Sequence, residues 1–241
     1  MGEVLQMISY IPIGWRCSTT VLCGKLCDIE SFPFRGMYSK FEGIIDCFKS
    51  GFKNYFPDTK SFTLLDNDPQ NENHKKLWTF HETLKNSKGN PQRIAFKNQF
   101  FCWFYYDLRK NEIAQKMRER IEKMYNYLSS TNDRVVFIRS VLDQNEIEMF
   151  DKFRDCMNLL FPSLDWHLVY LHDQHDNENS SESYYIHKDA YTFINASTHP
   201  SEPDFAFNII NKLKYLNQLE TDSQEINIHK STLNQRLYFS C

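Results

Sequence analysis

Apolar positions change their spacing along the chain, and each change marks an element. From Val4 to Ile13 they run on with only Gln6 and Ser9 as polar breaks. A short run of this kind, closed by Gly14, predicts a buried strand over 4–13. Residues 17–27 suit a short helix with Val21, Leu22 and Leu26 as its apolar side. Pro33 disfavours helix at the residue before it, so 31–34 is expected to be extended. Phe41, Ile44, Ile45 and Phe48 recur at helical intervals and predict an amphipathic helix over 38–50, ended by Gly51.

The second half has the clearer rhythm. Ile113, Met117, Ile121, Met124 and Leu128 predict a long helix over 109–129. A β-branched strand follows at 134–139, then a helix over 144–160 with Ile147, Phe150, Phe153, Met157 and Leu160 facing inward. Strands are expected at 166–171 and 191–194, a solvated loop at 173–183, a helix at 205–216 and a weak strand at 237–239. Helix and strand in alternation imply parallel pairing through right-handed crossovers. With the strand before Cys17 added, the expected fold is α/β. It is a three-layer sandwich around an open, mainly parallel, Rossmann-like sheet, in a single domain spanning 1–241.

The stretch 53–107 lacks this rhythm. Turn clusters at 66–69 and 87–91 flank the segment 77–82, and an aromatic block, Phe100 to Tyr106, comes after them. It reads as an irregular insertion or lid, with the aromatic block as core rather than a base-stacking platform.

Composition narrows the class. Twenty Phe and 13 Tyr argue for a packed globule. A net charge of −3 argues against a nucleic-acid partner. No apolar stretch reaches membrane-spanning length and the start of the chain has no basic leader, so neither a membrane partner nor a signal peptide is expected. Seven cysteines without CxxC pairs, mostly beside apolar stretches, suit reduced thiols and a cytoplasmic setting. Abundant Asn, Lys and Ile with sparse Gly and Ala suit an AT-rich source; for a viral one the setting is the host cytoplasm. Phosphate-cradling glycine motifs are absent, and the cluster His172-Asp173-Gln174-His175-Asp176 has no third ligand marked by spacing. No cofactor and no metal are expected.

In open α/β sheets, ligands gather at the carboxyl ends of strands. Cys17, Arg139 and His172 each fall at or just after a predicted strand end. Cys17 also opens the predicted helix 17–27. Unpaired N–H groups and the positive end of the helix dipole there favour thiolate, the nucleophilic form. A thiolate nucleophile needs a base. Of eight histidines, His81 in Phe80-His81-Glu82 has the most suggestive context, and His172 is followed by Asp173. Arg139 has two readings, a contact to a substrate anion or a structural pairing with a carboxylate.

Taken in order, these blocks resemble the putative papain-like cysteine peptidases, a family of bacterial and viral proteins. The family opens with a strand, a pattern close to S-x-G-x-x-C, a leucine-rich helix and a Pro-Phe-Asp-Trp-like segment. This chain has Ile13-Gly14-Trp15-Arg16-Cys17, the helix, then Phe32-Pro33-Phe34. The family's His-Asp pair is matched by His81-Glu82, its paired basic residues by Arg118-Glu119-Arg120, and its Phe-x-Arg strand end by Phe137-Ile138-Arg139. The likeness covers about residues 5–140 and continues loosely through 166–172.

The resemblance implies Cys17 as nucleophile and His81 as general base, acting without a cofactor on an amide, isopeptide or ester bond of a protein or peptide substrate. Glu82 matches the family's acid, and Asp173 at a strand end competes for that role. Where the family often has Asp-Trp, this chain has Arg35-Gly36. A basic residue there suits an anionic substrate group, with Arg139 and His172 as further substrate-binding candidates. Two other readings stand beside this one: a non-catalytic interaction protein on the same scaffold, and a Rossmann-like transferase with a nucleotide-linked donor. Papain itself pairs a helical lobe with an antiparallel barrel, so the fold expectation rests on periodicity and not on the family's name.

Overall fold

A computed structural model describes residues 8–14, 32–34, 37–60, 62–65, 80–85, 87, 89, 91–104, 106–141, 145–173, 184–188 and 191–196. Along the chain run β1 (Ile8–Pro12), β2 (Tyr38–Ser39), α1 (Phe41–Lys49), β3 (Thr63–Leu65), β4 (Phe80–Lys85), β5 (Pro91–Lys97) and β6 (Cys102–Phe104). They are followed by α2 (Asn111–Ser130), β7 (Arg134–Ser140), α3 (Asn145–Glu148), α4 (Phe150–Leu160), β8 (Trp166–Asp173), β9 (Tyr184–Lys188) and β10 (Tyr191–Ala196). The expected elements at 17–27, 174–183, 205–216 and 237–239 lie outside the described residues.

The first sheet has the order β1-β7-β8-β10-β9, with β1, β7, β8 and β10 parallel and β9 antiparallel at the edge. This is the open, mainly parallel sheet that the periodicity implies. Its central strands read as nearly continuous apolar runs because both faces are buried. Ile11, Val135, Phe137, Leu168 and Tyr170 join one core cluster with residues of α1, α2 and α4. Val136, Ile138, Val169 and Leu171, which alternate with them, are buried as well.

The second sheet is antiparallel, in the order β2-β6-β5-β3, with β4 also against β5. Most of it comes from 53–107, which the sequence reads only as an insertion. Strands of three residues are too short to display a period of two. The same core cluster reaches into this sheet through Ile94, Phe96, Cys102 and Phe104. Among the described residues neither sheet closes into a barrel. No helix among them is long and apolar enough to cross a membrane.

Helix α1 lies between the two sheets in the packing, and its sequence explains its C-terminal end. Phe48 is fully buried, and the rings of Phe34, Phe52, Tyr125, Phe153 and Phe161 all lie within 6.5 Å of its own. Aromatic pairs of this kind are worth about 0.5–1.5 kcal/mol each beyond their buried area. At the C-terminal end, Phe52 N–H donates to Cys47 O at 2.8 Å and Gly51 N–H to Phe48 O at 3.0 Å. This is a Schellman cap, with Gly51 in the left-handed region at φ +59. The segment Phe32–Phe34 turns rather than extends; Pro33 suits a turn position, and its carbonyl accepts the Tyr55 hydroxyl at 3.0 Å. The predicted helix 144–160 is broken at Met149 into α3 and α4.

Gly43 on α1 is where the β5–β6 turn docks. A Cβ there would overlap the Phe100 carbonyl oxygen, which is backbone and has little room to give. Helix propensity alone favours alanine over glycine by about 1 kcal/mol. Overpacking of this kind costs about 1–3 kcal/mol. Gly43→Ala is therefore expected to destabilise the protein by up to about 2 kcal/mol in urea unfolding, opposite in sign to the propensity effect.

Candidate active site

Parallel pairing puts the carboxyl ends of β1, β7, β8 and β10 on one edge of the first sheet. The ladder continues past the strands, since Ile13 N–H donates to Ile138 O and Val141 N–H to Leu171 O, each at 2.9 Å. This edge carries Gly14, Arg139, Ser140 and the backbone of His172 and Asp173, the last two residues of β8. His172 stands opposite Asn195 of β10, and Asp173 opposite Ala196.

Arg139 is the organising residue of the edge. It is fully buried. Nε donates to Glu146 Oε2 at 3.1 Å and Nη2 to Glu146 Oε1 at 2.5 Å, a two-point fork. Nη1 donates to the Ile13 carbonyl at 3.1 Å and to Ser39 Oγ at 3.3 Å, while Nη2 also donates to the Ser39 carbonyl at 2.7 Å. All five N–H donors of the guanidinium are thus engaged within the protein. Its carbon stands 5.4 Å over the Phe41 ring.

Glu146 completes the arrangement. Its Oε1 also accepts Phe41 N–H at 3.1 Å, at the start of α1, where Lys40 offers no side-chain cap. The Tyr170 hydroxyl donates to the Glu146 carbonyl at 3.2 Å. Gly14, at φ +84, makes the close approach possible. A Cβ there would overlap Ser39 Oγ and lie 3.1 Å from Arg139 Nη1. One guanidinium therefore joins the end of β1, the β2–α1 junction and α3.

Of the two readings of Arg139, pairing with a carboxylate is the one the structure displays, with Glu146 as the partner. Sequence reasoning did not name Glu146 or Ser39. Their spacing from Arg139 has no regular period, and the contact exists only after the chain has folded back.

His81 and Glu82 belong to β4 in the antiparallel sheet, while His172 and Asp173 end β8 in the other sheet. The structure describes these four residues by their backbone. Cys17 and Arg35 lie outside the described residues. Three other cysteines, Cys47, Cys102 and Cys156, are buried and free. A hydrogen bond with Cys102, together with burial, pushes the Cys47 thiol far above the usual thiol range. Burial pushes the Cys156 thiol up to about 11. Both therefore stay protonated at neutral pH, the unreactive form. Among the described residues no group of three or more His, Cys, Asp or Glu could hold a metal ion.

Burying a charge pair is tolerated only while both partners are present. Glu146→Ala leaves Arg139 buried without its counter-charge and is expected to destabilise the protein by about 3–5 kcal/mol. Adding Arg139→Met to that variant removes the stranded charge and should recover part of the loss. Urea unfolding of the two single variants and the double variant measures this; equal, additive losses would show that the pair is not coupled.

A family model described as putative papain-like cysteine peptidase (DUF1796) matches residues 8–175. No curated protein and no solved structure matches the chain. The matched stretch runs from β1 past the end of β8, so it takes in the whole Arg139 network together with the backbone positions of His81, Glu82, His172 and Asp173. Its extent, well over half of the chain, shows that this protein belongs to the family of putative papain-like cysteine peptidases.

Proposed function

We propose that the protein is a cysteine-dependent hydrolase acting on an amide, isopeptide or ester bond of a protein or peptide substrate. Cys17 is the nucleophile and His81 its general base. The observation that supports this most directly is the hydrogen bond from Arg139 to the Ile13 carbonyl, with Gly14 packed closely against Ser39, three to four residues before Cys17 in the chain. It fixes the point on the carboxyl edge of the parallel sheet from which the Cys17 segment departs. The family membership supports the same chemistry.

In this reading His81 takes the Cys17 proton, and the thiolate sulfur attacks the carbonyl carbon. Backbone N–H groups following Cys17 hold the oxyanion. His81 then returns the proton to the leaving group, and water, activated by the same imidazole, cleaves the acyl-enzyme. Glu82 or Asp173 orients His81. Arg35 and His172 hold an anionic group of the substrate. Arg139 acts as a positioning residue, because its donors are all engaged elsewhere. Buried thiols at Cys47, Cys102 and Cys156 suit a reducing, cytoplasmic setting.

Site-resolved alkylation tests the proposal. Cys17 is expected to react with iodoacetamide faster than the other six cysteines. Its rate should reach half its plateau well below pH 8.5, the region of a free thiol. His81→Ala should move that midpoint upward. Alkylation of Cys17 at the rate of Cys23 and Cys27, with an ordinary midpoint, would overturn the nucleophile. It would favour instead the non-catalytic interaction protein, a reading motivated by Arg35 at the position where the family often carries an acid.

A further inference from the structure

The β5–β6 turn holds aromatic side chains outward at some conformational expense. Phe101 is 45% exposed and has φ +58, the left-handed region that a bulky side chain rarely adopts. The turn beneath it is firmly built. Asn98, buried, donates through Nδ2 to the Tyr55 carbonyl at 2.8 Å, and its Oδ1 accepts Phe100 N–H at 3.0 Å and Cys102 N–H at 2.9 Å. The Phe100 carbonyl rests against Gly43. Cys102 and Phe104 point into the core, so Phe101 is the residue displayed.

Two ammonium groups converge on that ring. Lys97 Nζ is 4.1 Å from its centroid and Lys40 Nζ is 4.8 Å from it; Lys97 Nζ is also 5.4 Å from the Trp103 ring. Register continues the patch across three strands. Tyr38 of β2, 36% exposed, stands opposite Trp103 of β6, and Trp103 stands opposite Lys97 of β5. Among the described residues no carboxylate lies within 4 Å of either ammonium. Like charges gathered around an exposed ring leave a surface complementary to an anion with an apolar neighbour.

We propose that Lys40, Lys97, Tyr38, Phe101 and Trp103 form a docking surface for an acidic segment of the polypeptide substrate. Carboxylates of the segment pair with the two ammoniums, and an apolar side chain lies on the aromatic ledge. Two cations on a protein of net charge −3 are too few to hold a phosphate backbone, which favours a peptide over a nucleic acid. Lys40 lies between Ser39 and Phe41, the residues that Arg139 and Glu146 grip, so the surface is tied to the carboxyl edge of the parallel sheet. That the segment belongs to a substrate rests on the hydrolase reading; the binding itself does not need Cys17.

Fluorescence anisotropy on the Cys17→Ala protein tests the surface. The probes are a labelled peptide alternating glutamate and phenylalanine, its glutamine counterpart, and a single-stranded oligonucleotide. The acidic peptide should bind most tightly and weaken as salt rises. Lys40→Glu with Lys97→Glu should weaken it by about tenfold or more. Phe101→Gly should also weaken binding, yet leave Tm unchanged or raised, because glycine adopts positive φ without strain. Equal binding of the glutamine peptide, stronger binding of the oligonucleotide, or indifference to the charge reversal would overturn the proposal. So would a Phe101→Gly protein that loses Tm while binding normally. None of these outcomes alters the Cys17 alkylation result, so the two proposals fail separately.

Discussion

A fully buried guanidinium holds the carboxyl edge of the parallel sheet together. Arg139 sits where a charge is costly, and it is stable there because Glu146 neutralises it and three oxygens of Ile13 and Ser39 take its remaining donors. The same carboxylate caps α1 through Phe41 N–H. A residue that satisfies five donors on three segments leaves those segments little freedom to move independently. Gly14 is the consequence at the end of β1: its φ of +84 strains any other residue, and a Cβ there would crowd the Ser39 hydroxyl and the Arg139 guanidinium.

From that edge the rest of the architecture follows through α1. Its N-terminus is held by the buried ion pair, and its body carries Phe48 into a cluster of rings from both halves of the fold. Gly43, on the same helix, receives the β5–β6 turn. One helix therefore transmits the geometry of the parallel sheet to the antiparallel one. The family's name points to papain, but this chain builds its scaffold from an open parallel sheet with an antiparallel companion. A strand end followed by a turn and a cysteine asks only for a fixed point of departure, which sheets of different topology can supply.

Much of the fold was legible in local spacing. The inward positions Met117, Met124 and Leu128 of α2 are buried, β7 is the apolar strand its composition suggests, and Gly51 ends α1. These features are local, because a period of 3.6 or 2 records which side of an element meets the core. The short strands β3 and β6, the edge strand β9 and the break at Met149 left no such trace. Three residues cannot establish a period, and an edge strand is specified by its neighbour as much as by itself. At the site, Arg139 was recognisable as a strand-end residue, and a carboxylate partner was one of its two readings. Which carboxylate was not readable.

By itself the sequence determined the α/β class, the parallel pairing, the family and the candidates Cys17 and His81. Tertiary structure decided what Arg139 does. Its contacts to Ile13 and Ser39 join residues 126 and 100 positions apart. Hydrophobic periodicity is set within one element and survives in the sequence. A hydrogen bond between distant elements depends on how strands and helices come to rest against one another, and no local pattern encodes that. The same holds for the outward aromatic face of the β5–β6 turn. The block Phe100 to Tyr106 reads as uniform core, whereas the folded chain buries Phe104, leaves Tyr106 exposed and displays Phe101 on left-handed backbone.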